Sequence, residues 1–178
     1  MSRVDLRKEA FYKHPPELVW EALTSGEALA QWLMPNTFKP IKGHDFQFRV
    51  DPMPFLPNTV TNCRVLEIDP PRRMVWSWET PPRKAGKKAL PTQIVEWTLT
   101  PKDGGTLLTL TQRGSASMPF IYRLMMSHGW GTMMTRWLTK VLTAFEHAKD
   151  GRYIYHRLAK APNRGHHGTK TLPPEFHK

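Results

Sequence analysis

The chain almost lacks cysteine: Cys63 is the only one in 178 residues. A single thiol excludes an intrachain disulfide, which fits a reducing compartment. Cys63 lies between Asn62 and Arg64 in a strand-like run that supplies no base beside it, so it reads as structural rather than nucleophilic. Long apolar runs are also missing. No window reaches the ~18 apolar residues that a membrane span requires. Met1 to Lys13 is charged and has no apolar stretch of the kind a secretory signal carries. A cytoplasmic location is therefore expected.

Acidic residues are few, 15 against 26 Lys and Arg, for a net charge of +11. The excess is local. Residues 149–178 hold seven basic groups against Asp150 and Glu175, and residues 81–91 add Arg83, Lys84, Lys87 and Lys88 with no acid. Nine of the eleven charges thus fall in one loop and one tail, where solvation is the expected role and contact with nucleic acid or anionic membrane the lesser one. Nothing matches a nucleophile triad, a phosphate-binding loop or a deaminase motif. His156, His166, His167 and His177 lack fixed spacing and a carboxylate or thiolate among them, so they make poor metal ligands. No catalytic residue, cofactor or metal is assigned.

What the chain has is proline, tryptophan and strong periodicity. Its seventeen prolines avoid every candidate strand and the long helix, as a residue without an N–H must. Val4 to Lys13 reads as a strand closed by His14-Pro15-Pro16. Glu17–Thr24 and Glu27–Leu33 read as two short helices separated by Ser25-Gly26. From Gly43 the period becomes two. Phe46, Phe48 and Val50 share one face, then Cys63 and Val65, then Met74, Trp76 and Trp78, then Val95, Trp97 and Leu99, then Leu108 and Leu110. Asp103-Gly104-Gly105 marks a hairpin.

Phe120–Met126, apolar except for Arg123, reads as either the first turns of the last helix or a separate lid. At about 100° per residue, Trp130, Met133, Met134, Trp137, Leu138, Val141, Leu142 and Phe145 then cover half of one long helix. Asp150-Gly151 is expected to end it. The order is strand, two short helices, five strands and a long helix, which implies an α+β domain over residues 1–148. In it an antiparallel sheet of about six strands is covered by the C-terminal helix. Residues 149–178 form a basic tail, with Tyr153, Ile154, Tyr155 and Leu158 as one further short element and disorder expected beyond Pro162.

Several motifs carry a resemblance. His14-Pro15-Pro16-Glu17-Leu18-Val19-Trp20-Glu21-Ala22-Leu23-Thr24 is followed by Leu29-Ala30-Gln31-Trp32-Leu33 and Gly43-His44-Asp45-Phe46. Then come Val65-Leu66-Glu67-Ile68-Asp69-Pro70-Pro71-Arg72-Arg73, Trp76-Ser77-Trp78-Glu79, Gly105–Leu110 and His128-Gly129-Trp130. Over about residues 4–147 the chain resembles the helix-grip superfamily of START and Bet v 1-like (SRPBCC) domains. Within it, the chain is most similar to the family named after the C-terminal domain of the Hsp90 ATPase activator.

The resemblance implies a curved antiparallel sheet gripping the C-terminal helix, with an apolar pocket between them. The lining would be Trp32, Phe46, Phe48, Met74, Trp76, Trp78, Trp97, Trp130, Met133, Met134 and Trp137. Any one of these can simply fill core. As a set, indoles and thioethers suit a site that holds something other than protein. A carrier or sensor for a small lipid-like or aromatic molecule is the leading expectation. A module acting on an Hsp90-type chaperone and a polyketide cyclase or dehydratase-like enzyme are the alternatives. His128 falls off the centre of the apolar stripe and reads as structural, and alternation turns Asp45, Arg49 and Glu79 away from it.

Overall fold

The computed structural model describes residues 4–50, 60–82, 90–116, 118–162 and 173–176. Outside them lie the basic cluster from Arg83 to Lys88, the prolines at 52, 54 and 57, and His166, His167 and His177. The expected disorder beyond Pro162 also falls there, apart from 173–176. Strand β1 (Leu6–Tyr12) is followed by helices α1 (Pro16–Thr24) and α2 (Gly26–Trp32). Prolines at the entry suit α1, whose first-turn N–H groups need no partner. Ser25 separates the two helices and caps α2, its hydroxyl accepting from the Ala28 N–H at 3.4 Å. Five strands follow, β2 (Asp45–Arg49), β3 (Val60–Asp69), β4 (Arg73–Glu79), β5 (Gln93–Lys102) and β6 (Gly105–Arg113).

Together they form one curved antiparallel sheet in the order β1-β6-β5-β4-β3-β2. Asp103 and Gly104, both at positive φ, close the two-residue β5–β6 turn that the sequence signals. A bulge between Val65 and Glu67 resets the β3 register, which brings Ile68 opposite Met74.

The C-terminal helix runs from Phe120 to Leu142 in three parts: α3 (Phe120–Thr132), a π-helical segment (Met133–Leu138) and α4 (Thr139–Leu142). Phe120–Met126 is thus its beginning. Two details differ from the sequence expectation. The wider i→i+5 turn rotates the stripe, so Trp130, Met134, Leu138, Val141 and Leu142 are buried while Met133 and Trp137 are only partly covered. The helix also stops at Leu142 rather than at Asp150-Gly151. Phe145 lies in strand β7 (Phe145–His147), which pairs with β8 (Tyr153–Tyr155), and Asp150-Gly151 sits in the connecting turn with Gly151 at φ 85°. A glycine at positive φ serves a hairpin as readily as a helix cap. This hairpin straddles the boundary drawn at residue 148, and Phe145, Tyr153, Tyr155 and Leu158 pack against the core. At Pro174–Phe176 a final 3₁₀ turn buries Phe176, with the Arg49 guanidinium 5.1 Å from its ring centre. No helix among the described residues is long and apolar enough to cross a membrane.

The convex face of the sheet carries a charge ladder. Glu96 accepts from Arg73 at 2.9 Å and from Arg113 at 3.0 Å, and Arg73 also pairs with Glu67. Arg73, with Arg113 beside it, holds the Glu96 carboxyl below its ordinary value of 4.5 although partial burial opposes this. A carboxylate whose folded value is depressed contributes stability above its unfolded value and loses it as pH falls through the folded one. Glu96→Gln should therefore cost about 1 kcal/mol at pH 7, the scale of a charge-assisted hydrogen bond on a partly covered surface. Urea titrations of the two proteins should converge as pH drops below 4.5. A deficit that stays the same size once the carboxyl is fully protonated would assign the loss to packing instead.

Candidate functional site

The concave face of the sheet collects the aromatic residues expected from strand alternation. Trp32, Phe46, Phe48, Met74, Trp76, Trp78, Trp97, Trp130 and Met134 are all buried there; Met133 and Trp137 lie at the margin. The rings meet edge to face. Trp97 stands 5.8 Å from Trp32, 5.9 Å from Trp76 and 5.5 Å from Trp130 between ring centres, and Trp130 is 5.6 Å from Trp78. Phe46 and Phe48 close the β2 side at 5.5 and 5.9 Å from Trp76. Phe38, which follows Pro35 in a non-periodic stretch, joins them 5.0 Å from Phe46. Cys63 is buried at this edge, and burial, with the Glu79 charge adding to it, pushes its thiol well up. It remains an unreactive thiol near neutral pH.

Polar groups inside this face are few and specific. The Trp32 indole donates to the Ala22 carbonyl at 2.9 Å. The Trp130 indole donates to Gln112 Oε1 at 3.0 Å, and Gln112 Nε2 donates in turn to Gln93 Oε1. Both glutamines are fully buried. The indole N–H groups of Trp76 and Trp97 and the side-chain amide of Gln93 find no acceptor among the described residues. Neither glutamine was singled out from sequence. The available signal was phase: Gln93 falls in step with Val95, Trp97 and Leu99, and Gln112 with Leu108 and Leu110.

The helix is held over this face by few contacts in its first half. Trp130 is the single buried residue of α3. Phe120, Ile121, Leu124 and Met125 are 76%, 63%, 53% and 54% exposed, a ridge of large apolar side chains along the helix start. Beneath it lies an open hollow of about 330 Å³, lined by Leu6, Gln112, Phe120, Arg123, Leu124 and Met126 among others. Gln112 is the link, since it faces the hollow and bonds to Trp130. Further along, the Tyr12 hydroxyl donates to the Met134 carbonyl at 2.6 Å, pinning the π segment to β1. Burial pushes that phenol well up, so it stays protonated as a donor. The Thr135 and Thr139 hydroxyls take the carbonyls of Gly131 and Thr135 at 2.8 and 3.0 Å. Side chains thus serve carbonyls that the wider turn loosens. His128 is exposed, as are Asp45 and Glu79 on the far side of the sheet, while Arg49 there is partly covered. A second hollow, about 450 Å³, lies at the β2–β3 edge between Gln47, Asn62 and the Phe176 turn.

Residues 13–143 match the family model described as activator of Hsp90 ATPase homolog 1-like protein. The chain belongs to this family. Its fold is the helix grip that the sequence motifs resemble, and similar solved structures agree. The Mesorhizobium loti protein MLL2253 is 29% identical with a TM-score of 0.66, over 78% of this chain and 96% of that one. Bacillus halodurans BH1534 is 24% identical with a TM-score of 0.61, over 80% and 99%. CalU16 from Micromonospora echinospora is 23% identical with a TM-score of 0.52, over 77% and 80%. The last two show the fold alone. A search of curated proteins gives no match. In this member of the Hsp90 ATPase activator homologue family, the space under α3 and the aromatic face behind it are the candidate site.

Proposed function

We propose that this protein binds a small apolar molecule between its sheet and C-terminal helix, acting as a carrier or sensor. The observation that carries the reading is the hollow of about 330 Å³ beneath α3, within the 300–1,000 Å³ scale of small-molecule sites. Its lining is mixed, with Leu6, Phe120, Leu124 and Met126 beside Asp5, Arg7 and Arg123, and Gln112 at its border accepts from Trp130 of the buried indole cluster. The exposed ridge from Phe120 to Met125 forms the outer lip, where a hydrophobic guest would first be desolvated. None of the eleven residues expected from the sequence borders the hollow: nine are buried behind it, and Met133 and Trp137 lie at the margin. The family description names an activator of Hsp90 ATPase. Acting on such a chaperone is the second reading, supported by the same ridge as a surface that a protein partner covers.

Leu124→Trp tests the first reading, because Leu124 lines the hollow yet is half exposed, so a larger side chain narrows the mouth without entering the core. Isothermal titration with 2-ethylnaphthalene should show saturable binding to the natural protein and at least tenfold weaker binding to the variant. Its stability should change by no more than about 0.5 kcal/mol, as is usual for surface substitutions. Equal affinity for both proteins would place the guest elsewhere, and no saturable binding to either would sink the reading.

A further inference from the structure

One arginine interrupts the apolar start of the last helix, and its position ties it to the hollow. Phe120, Arg123, Leu124 and Ser127 follow the i, i+3, i+4, i+7 spacing of one helix face, and all four line the hollow. Arg123 therefore stands in the stripe that roofs this space, its aliphatic stem beside Phe120 and Leu124 and its charge at the open rim. Its backbone N–H donates to the Pro119 carbonyl at 3.2 Å, as the helix requires. The guanidinium itself makes no hydrogen bond or ion pair among the described residues. No helix neighbour could supply one, because the chain carries no Asp or Glu from Gly114 to Phe145.

The other charges on the lining are already answered. Arg7 pairs with Glu9. Asp5 accepts from the N–H groups of Ser115 and Ala116 at 2.7 and 3.1 Å and from the Ser115 hydroxyl at 3.4 Å. What remains is an apolar surface, from Leu6, Phe120, Leu124 and Met126, with one unmatched cation at its edge. We infer that the guest is an apolar molecule ending in a single carboxylate, its body under α3 and its carboxylate against Arg123. A planar guanidinium presents two parallel N–H donors that match a carboxylate. A place at the rim spares both charges the cost of full burial. The Asp5 carboxylate on the same wall selects against a dianion, whose second charge would meet no free cation there. This deepens the binding reading above and rests on it.

Four probes with one ring skeleton test it by isothermal titration at low salt: 2-ethylnaphthalene, 2-naphthylacetate, 2-naphthylethylamine and 2-naphthyl phosphate. The carboxylate should bind about fivefold tighter than the hydrocarbon, the scale of an ion pair at a partly exposed rim. The ammonium probe should bind weakest, and the phosphate should gain nothing over the carboxylate. A net charge of +11 attracts any anion, so variants separate the local charge from the general one. Arg123→Gln should bring the ratio of carboxylate to hydrocarbon affinity to about one, and Arg123→Lys should restore part of it. Arg136→Gln removes an exposed charge of the same helix outside the hollow and should leave the ratio as in the natural protein. Equal affinity for carboxylate and hydrocarbon, tighter binding of the phosphate, or an equal fall of the ratio in the Arg136 variant would overturn this inference while leaving apolar binding intact. No saturable binding of any probe would overturn both.

Discussion

Trp97→Ala is expected to lower the unfolding free energy by about 3–5 kcal/mol, the cost of removing a large aromatic side chain from a packed core. Trp97 is fully buried, and its ring meets those of Trp32, Trp76 and Trp130 at once. The sheet and the helix therefore lean on the same side chain. Against a total stability of about 5–15 kcal/mol, such a loss brings the protein close to half unfolded at moderate urea. The void left behind is apolar and of indole size. Such voids stay dry and accept small aromatics, so millimolar indole should recover part of the loss in the same titration. A deficit below about 1.5 kcal/mol would mean that the neighbours collapse into the gap and that the cluster is looser than its edge-to-face geometry indicates.

The second large effect is expected at Gly114, where β6 ends and the chain turns towards α3. Its φ is +90°, and a Cβ there would come within 2.6 Å of the Thr92 carbonyl oxygen and 3.3 Å of the Gln93 Cα. Gly114→Ala combines backbone strain with a clash against backbone that cannot rotate away, so a loss of about 2–4 kcal/mol should follow. Gly151 supplies the control. It has φ +85° with nothing within 4 Å, so Gly151→Ala pays for strain alone, about 1 kcal/mol. Chemical denaturation of the two variants side by side separates the terms. Equal losses would show that the Thr92–Gly114 contact relaxes freely.

The architecture was legible because its signals are short-ranged. Alternation at 74–78, 93–99 and 106–112 sets which side chains face inward, and Asp103-Gly104 closes its hairpin with residues suited to positive φ. The same reasoning overran the last helix. Phe145 continues the helical spacing and does pack against the core, yet from strand β7, because spacing records where a side chain must end and not the backbone that delivers it. The π segment left no local mark either. It is fastened by Tyr12, which lies 122 residues away in sequence. The buried aromatic face of the sheet could be read from phase, and Gln93 and Gln112 share that phase as polar side chains. The hollow was beyond reach, since it is a gap between α3 and the β1–β6 end of the sheet and belongs to no single segment.

The row of indoles has an optical consequence. Trp32, Trp97, Trp130 and Trp78 form an unbroken path with Trp76 branching from Trp97, each step between 5.5 and 5.9 Å. At that spacing the ultraviolet transitions of neighbouring rings couple, and absorbed energy migrates among them before it is emitted. The five rings behave as one antenna, so an absorber lodged beside Trp130 alone would darken light first gathered at Trp32 or Trp76.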